Sequence, residues 1–135
     1  MSEEPIRIQS HKGQYQVNFC NNGPKHLLDN LPDCGFHLII DQRVADLYRD
    51  QLKDIFEHHS VLMIEATEYN KSLERLPEYV GYLVKKQVRR DDVLIAVGGG
   101  IIQDITCFLA ATLLRGIDWY FYPTTLLAQA DSCIG

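Results

Sequence analysis

The run Val93-Leu94-Ile95-Ala96-Val97-Gly98-Gly99-Gly100-Ile101-Ile102-Gln103-Asp104 constrains this chain more than any other stretch. Its apolar start reads as a buried strand, its three glycines as a sharp turn, and the residues after them as a helix start. Glycine lets the backbone turn tightly and approach a ligand with no Cβ in the way. The helix that follows presents free N–H groups and the positive end of its dipole to an anion. The functional reading is a pyrophosphate cradle, and hence nucleotide binding. The spacing is not the Gly-x-Gly-x-x-Gly of the common dinucleotide fingerprint, so a tight strand-to-helix turn without a ligand stays open as an alternative.

A chain of 135 residues suits one domain with a real core and is short for two. Hydrophobic content of 46% and charged content of 23% match soluble globular averages, and no stretch is apolar and long enough to cross a bilayer. The opening Met1-Ser2-Glu3-Glu4-Pro5 lacks the basic and apolar regions of a secretory signal, which points to the cytoplasm. A net charge of −5 argues against nucleic acid or an anionic membrane as the main partner. The basic cluster Lys85-Lys86-Gln87-Val88-Arg89-Arg90 closes a predicted helix, where cations are favoured by the dipole.

Cys20, Cys34, Cys107 and Cys133 show neither Cys-x-x-Cys spacing nor a histidine at metal-ligand distance in sequence, so buried, inert thiols are expected. His58 and His59 are adjacent, which sends them to different helix faces, and they read as surface residues. No metal site can be assembled from this sequence.

Ile6 to Gln9 and Tyr15 to Cys20 alternate with period two around His11-Lys12-Gly13, which predicts an antiparallel or edge pair. Short apolar runs follow at Phe36–Ile40, Val61–Ile64, Val93–Val97 and Trp119–Tyr122. Such near-continuous runs belong to strands covered on both faces. Between them, Val44, Leu47, Tyr48, Leu52 and Ile55 form one helical stripe, and Leu76, Val80, Leu83 and Val84 another. The alternation predicts a parallel, doubly wound α/β sheet. Ligands in such sheets sit beyond the C-terminal strand ends near a change in strand order. Asp41, Glu65 with Glu68, the glycines, and Thr124-Thr125 all fall at those ends and are expected to converge.

The C-terminal third adds Leu114-Arg115-Gly116 and Pro123-Thr124-Thr125-Leu126-Leu127-Ala128-Gln129-Ala130-Asp131-Ser132 to the glycine turn. Together these resemble the 3-dehydroquinate synthases and the wider sugar phosphate cyclase family, with good order from about Phe36 to Gly135. The resemblance implies a Rossmann-like NAD-binding domain over 1–135. A helical domain carrying a divalent metal, zinc or cobalt, would lie beyond it. It implies a carbon–oxygen lyase that oxidises a sugar phosphate transiently with NAD, eliminates phosphate and closes a carbocycle. 3-Deoxy-arabino-heptulosonate 7-phosphate or a related compound would be the substrate, and the intact enzyme is expected to be a homodimer. The family's substrate lysine and its metal-binding glutamate and histidines would fall past Gly135, so this chain alone is expected to bind NAD weakly and not to turn over.

Carried over by resemblance, Asp41, with Gln42 and Arg43 after it, lies on the adenosine side of the cofactor, although Asp41 also suits a helix N-cap. Glu68 and Lys71 match a family Glu-x-x-Lys on the same side, with a solvated surface pair as the alternative. Gly99, Gly100 and Ile101 match the backbone against the pyrophosphate, and Asp104 the acid near the nicotinamide ribose, unless it simply favours the helix dipole. Thr124 and Thr125 match paired threonines at the cofactor or else cap a helix. Arg115 matches an arginine that reaches substrate from a neighbouring subunit, and is otherwise a C-terminal helix cation. Asp131 matches an acid in the substrate pocket or is an exposed turn residue. Gln103, Cys107 and Cys133 depart from the small residues common in dehydroquinate synthases, and the bulk of Gln103 is expected to narrow the approach to the phosphates.

Two other readings share these features. One is an NAD-dependent polyol or metal-dependent alcohol dehydrogenase, from which Leu126 to Ser132 distinguishes the cyclases. The other is a truncated, non-catalytic nucleotide-binding module.

Overall fold

A computed structural model describes residues 4–132. The N-terminal hairpin pairs β1 (Ile6–Ser10) with β2 (Gly13–Val17) antiparallel, from Ile6 opposite Val17 to Ser10 opposite Gly13. Gly13 has a φ of 135°, which excludes other residues from this turn at low cost, and Ser10 Oγ donates to its carbonyl at 2.9 Å. The second strand stops at Val17, short of the expected Cys20. Helix α1 (Pro24–Asp29) then starts on a proline, whose missing N–H costs nothing at a first helical position.

The main sheet contains β3 (Phe36–Asp41), β4 (Ser60–Ile64), β5 (Val93–Gly98) and β6 (Asp118–Pro123), in the order β4-β3-β5-β6. Every pairing is parallel. Side chains alternate between faces along each strand. Leu38, Ile40, Ile95 and Val97 join one apolar cluster with residues of α1, α2 (Gln42–Leu47) and α3 (Lys53–His58). Ile39, Leu94 and Ala96 join the other with α4 (Leu76–Lys85) and α5 (Gly100–Thr112). Burial on both faces explains the continuous apolar runs of the central strands β3 and β5. At the edges the expectation fails, since β4 is only half-buried along most of its length and Tyr120 of β6 is 49% exposed where, among the described residues, no further strand pairs with it, while the fold is doubly wound as expected.

Two helix readings change. The stripe from Val44 to Ile55 is two short helices, with Leu47 72% exposed at the end of the first. In α4 the buried stripe is Leu76, Tyr79 and Leu83, whereas Val84 is exposed. The chain leaves α4 through Gln87 in the left-handed region, φ 58°, with Val88 N–H bonded back to Leu83 at 3.1 Å. That six-to-one bond closes the helix and leaves the basic cluster at its C-terminal end.

The cysteines are also corrected. Cys20, Cys34 and Cys107 are exposed rather than buried. Cys107 falls on the outer face of α5 because Ile102, Ile105, Thr106, Leu109 and Ala110 occupy the inner one. Cys133 lies outside the described residues.

One polar group is sunk into the apolar run of β3. His37 is 5% exposed and satisfies both ring nitrogens, Nδ1 with Ser60 Oγ at 2.8 Å and Nε2 with Asp92 Oδ2 at 3.0 Å. Asp92 also accepts from the Arg89 N–H at 2.8 Å. The imidazole therefore ties β3, β4 and the start of β5 together at their N-terminal ends.

Candidate functional site

The chain passes from β3 outward to β4, then crosses back over β3 to β5 on the other side. That reversal opens a crevice between the C-terminal ends of β3 and β5, the place where open α/β sheets hold ligands. The β3 side ends in Asp41 and the β5 side in Gly98-Gly99-Gly100.

Contacts within the turn are close. A Cβ on Gly98 would lie 2.6 Å from Ile102 Cγ1 and 3.3 Å from Asp41 Cβ, and one on Gly99 would lie 2.9 Å from Thr125 Cγ2. Thr124 donates its N–H to the Gly98 carbonyl at 2.9 Å, so the segment after β6 is laced to the turn. Gly100 differs, since a Cβ there would meet nothing within 4 Å. Helix α5 begins on that residue with no side chain capping its first N–H groups. They are left to water or to a ligand.

Asp41 performs the capping role that its position allowed, with Oδ1 accepting from the Arg43 N–H at 2.9 Å at the start of α2. Gln42, beside it, points its amide along α2 to Asp46 Oδ1 at 3.1 Å. Thr125 likewise accepts at Oγ1 from Ala128 N–H, 3.2 Å away. Neither bond exhausts the group, because a carboxylate has about four acceptor sites and a hydroxyl can also donate.

Lys71, in the short 3-10 turn Tyr69–Lys71, reaches Glu68 Oε2 at 3.2 Å and Asp104 Oδ2 at 3.3 Å. Asp104 sits one turn beyond Gly100 on α5 and is thus drawn into an ion pair across the crevice, instead of acting on the helix dipole alone. The hydrogen bonds that Lys71 donates to Glu68, and next to Asp104, hold its ammonium above the usual lysine range. The cluster keeps a positive charge beside two carboxylates at the foot of the open helix end.

Gln103, on the first turn of α5, does not turn toward the glycines as expected. Its Nε2 donates to the Ser132 carbonyl at 2.7 Å. Ser132 ends the π-helical turn Ala128–Ser132, in which Asp131 is exposed. Sequence reasoning saw Gln103 only as bulk, since its partner lies 29 residues away.

Arg115 is not brought to this crevice. It precedes β6, beyond the N-terminal end of the sheet, while the glycines lie at the other end of strands six residues long, about 20 Å away. Leu114 and Arg115 both adopt left-handed conformations, φ 49° and 69°, followed by Gly116 at 110°. Such angles cost non-glycine residues about 1–2 kcal/mol each. The bonds Gly116 N–H to Leu113 and Ile117 N–H to Ala110, both 2.8 Å, hold this bend and leave Arg115 exposed.

Two hollows have linings that do not include the glycines. One of about 440 Å³ lies beside β4, lined by Met63, Thr67, Tyr69, Asn70 and Arg75 among others, and one of about 540 Å³ surrounds His37 and Asp92. Among the described residues no three His, Cys, Asp or Glu side chains are grouped to hold a metal, and no helix is long and apolar enough to cross a membrane.

The chain is similar to known proteins in sequence and in fold. The family described as 3-dehydroquinate synthase N-terminal matches residues 61–135. The chain is 43% identical over 139 residues to 3-dehydroquinate synthase of Blochmanniella pennsylvanica, covering 98% of this chain and 38% of the relative. It is 36% identical over 100 residues to that of Clostridium tetani, covering 73% and 27%. The crystal structure of 2-deoxy-scyllo-inosose synthase superposes with a TM-score of 0.77 at 21% identity, covering 96% of this chain and 38% of that one. ValA, the 2-epi-5-epi-valiolone synthase of Streptomyces hygroscopicus with NAD+ and Zn2+ bound, superposes at 0.67 and 28% identity, covering 90% and 38%. The chain therefore spans between about a quarter and two fifths of the length of these relatives.

Proposed function

The chain belongs to the 3-dehydroquinate synthase family, and from that premise we propose that residues 1–135 form the NAD-binding N-terminal domain of a sugar phosphate cyclase. The observation that carries the reading is the glycine turn at the switch point, with an uncapped helix end and carboxylates on both sides. A dinucleotide offers an anionic pyrophosphate between two ribose diols. The N–H groups at the start of α5 suit the first, and carboxylates that accept from paired hydroxyls suit the second. Gly98 and Gly99 leave no space for a Cβ while Gly100 opens outward, so the residues present fit such a ligand.

In this reading Gly99, Gly100 and Ile101 hold the pyrophosphate with their backbone. Asp41, with Gln42 and Arg43 beside it, and Glu68 with Lys71 hold the adenosine side. Asp104 holds the nicotinamide ribose, and Thr124 and Thr125 complete the wall next to the turn. NAD, when bound, supplies transient hydride acceptance and return. Asp131 accepts from substrate hydroxyls. Arg115, exposed at the far pole of its own sheet, serves the crevice of a second copy in a homodimer, where a guanidinium suits phosphate. A divalent metal, zinc or cobalt by analogy with neighbours that carry Zn2+ or Co2+, would be held by residues outside those described.

The proposed reaction is phosphate elimination and ring closure of 3-deoxy-arabino-heptulosonate 7-phosphate or a related sugar phosphate, in the cytoplasm. Calorimetric titration of the intact protein with NAD, followed by phosphate release from that heptulosonate, tests it. Saturable NAD binding and phosphate release without net NADH are expected. Absence of NAD binding would overturn the cofactor assignment, and net reduction of NAD by glycerol would replace the cyclase with a dehydrogenase.

A further inference from the structure

Three contacts join the glycine turn to the segment after β6. Thr124 N–H bonds to the Gly98 carbonyl at 2.9 Å, Gly99 packs on the Thr125 side chain, and Gln103 Nε2 donates to the Ser132 carbonyl at 2.7 Å. The first two lie at the strand end itself. The third reaches from the first turn of α5 to the far end of the Ala128–Ser132 turn, next to Asp131. That turn is further closed on itself, since Ala128 N–H bonds to Thr125 Oγ1 at 3.2 Å and Ser132 Oγ donates to the Ala128 carbonyl at 3.4 Å. It is thus a closed unit pinned at one end to the strand and at the other to the helix.

We propose that Gln103 is a positioning residue that transmits cofactor binding to Asp131. The inference rests on the assignment of NAD to the glycine turn. A ligand on the free N–H groups of Gly100 and Ile101 steadies the first turn of α5, and the Gln103 amide hands that order to the Ser132 carbonyl. The carboxylate of Asp131 is then set in place by the cofactor before substrate arrives. A short apolar or small residue at 103 cannot make this bond, because only an amide or a longer donor reaches the carbonyl.

Residue-resolved amide exchange of the intact protein tests this, with NAD alone as the ligand. In the wild type, saturating NAD slows exchange at Ile101 to Asp104 and also at Gln129 to Ser132. In Gln103→Met, which keeps the length and loses the donor, NAD still slows the α5 amides but no longer slows Gln129 to Ser132. Without NAD, those turn amides exchange about fivefold faster than in the wild type, the ratio that one hydrogen bond of ordinary net strength supports. A strut with a purely structural role would speed the turn equally with and without NAD. Protection of the turn by NAD that persists in the variant would therefore overturn the proposal. So would wild-type protection confined to α5, which leaves the cofactor assignment standing. Protection of neither segment in the wild type would remove the cofactor assignment itself. Gln103→Glu, which keeps the shape and places a carboxylate oxygen against the carbonyl, is measured in parallel and must behave as Gln103→Met does.

Discussion

Alanine at Gly98 would place a Cβ 2.6 Å from Ile102 Cγ1 and 2.8 Å from Ile102 Cβ, closer than carbon atoms approach in any relaxed structure. The Cβ of Ile102 is fixed to the helix backbone and cannot rotate away, so relief requires α5 to move off the sheet. Overpacking of this kind costs about 1–3 kcal/mol, and loss of backbone freedom in the unfolded chain returns about 0.4–1 kcal/mol. Because α5 carries much of one core cluster, the upper part of the range applies, and Gly98→Ala is expected to lose about 2 kcal/mol net. For a domain of this size that lowers Tm by roughly 6–10 °C. At Gly99 the obstacle is Thr125 Cγ2 at 2.9 Å, the end of a side chain, and the loss should be nearer 1 kcal/mol. Gly100→Ala meets nothing within 4 Å and opens a helix, so it should gain about 0.5 kcal/mol.

Cofactor affinity should run in the opposite order. If the pyrophosphate lies on the bare backbone of Gly100, a methyl group there intrudes on the ligand alone, and NAD binding should weaken tenfold or more, about 1.4 kcal/mol. Urea denaturation and calorimetric NAD titration of the three variants separate the two effects. Gly100→Ala with undiminished stability and wild-type NAD affinity would refute the placement of the ligand on this residue. Gly98→Ala with an unchanged Tm would refute the claim that the turn is held by packing against Ile102.

Lys71→Met should weaken NAD binding several-fold while changing the urea midpoint little, because solvent screens exposed ion pairs, and equal affinity in variant and wild type would remove Lys71 from the site. The raised Lys71 pKa means its charge-dependent contribution is fully present below the ordinary lysine value and is lost only as pH rises through the raised one. NAD titrations from pH 6 to 9 should therefore show no step from this residue, and a step abolished by Lys71→Met would contradict the assignment. His37→Leu leaves Ser60 and Asp92 without their shared partner and should cost about 2–4 kcal/mol in a denaturant midpoint with the NAD site itself untouched. Cys107 should react with a thiol reagent in the native protein at a rate close to that of a small-molecule thiol, as mass mapping of the labelled peptide would show, since it is exposed on α5.

Strands were legible in this sequence because burial on both faces writes itself as uninterrupted apolar residues, as in Val93 to Val97. Helix breaks were less so. The stripe through Val44, Tyr48 and Leu52 continues unbroken because Tyr48 N–H still bonds to Val44, Leu52 to Tyr48 and Phe56 to Leu52, with spacings of 2.9–3.1 Å. The periodicity thus survives the bend at 48–52, and only the exposure of Leu47 betrays it. The expectation of buried thiols failed for a related reason: a residue type states a preference for the interior, but helical phase puts Cys107 on the face of α5 opposite Ile102, Ile105, Thr106, Leu109 and Ala110.

The site divides along the same line. Asp41, the glycines and Thr124-Thr125 could be gathered from sequence, because each ends a parallel strand and parallel strands end together. Strand order is a separate matter, since nothing local to β4 says on which side of β3 it pairs. Yet that choice creates the switch point, and it brings Lys71 to Asp104 across 33 residues and His37 to Asp92 across 55. A side chain whose purpose is a distant carbonyl, as with Gln103, has no periodicity to announce it, and its local neighbours suggest only bulk. The residues that bind a ligand by backbone geometry are therefore written in the sequence as glycines, whereas those that position one part of the site against another emerge only when the sheet has closed.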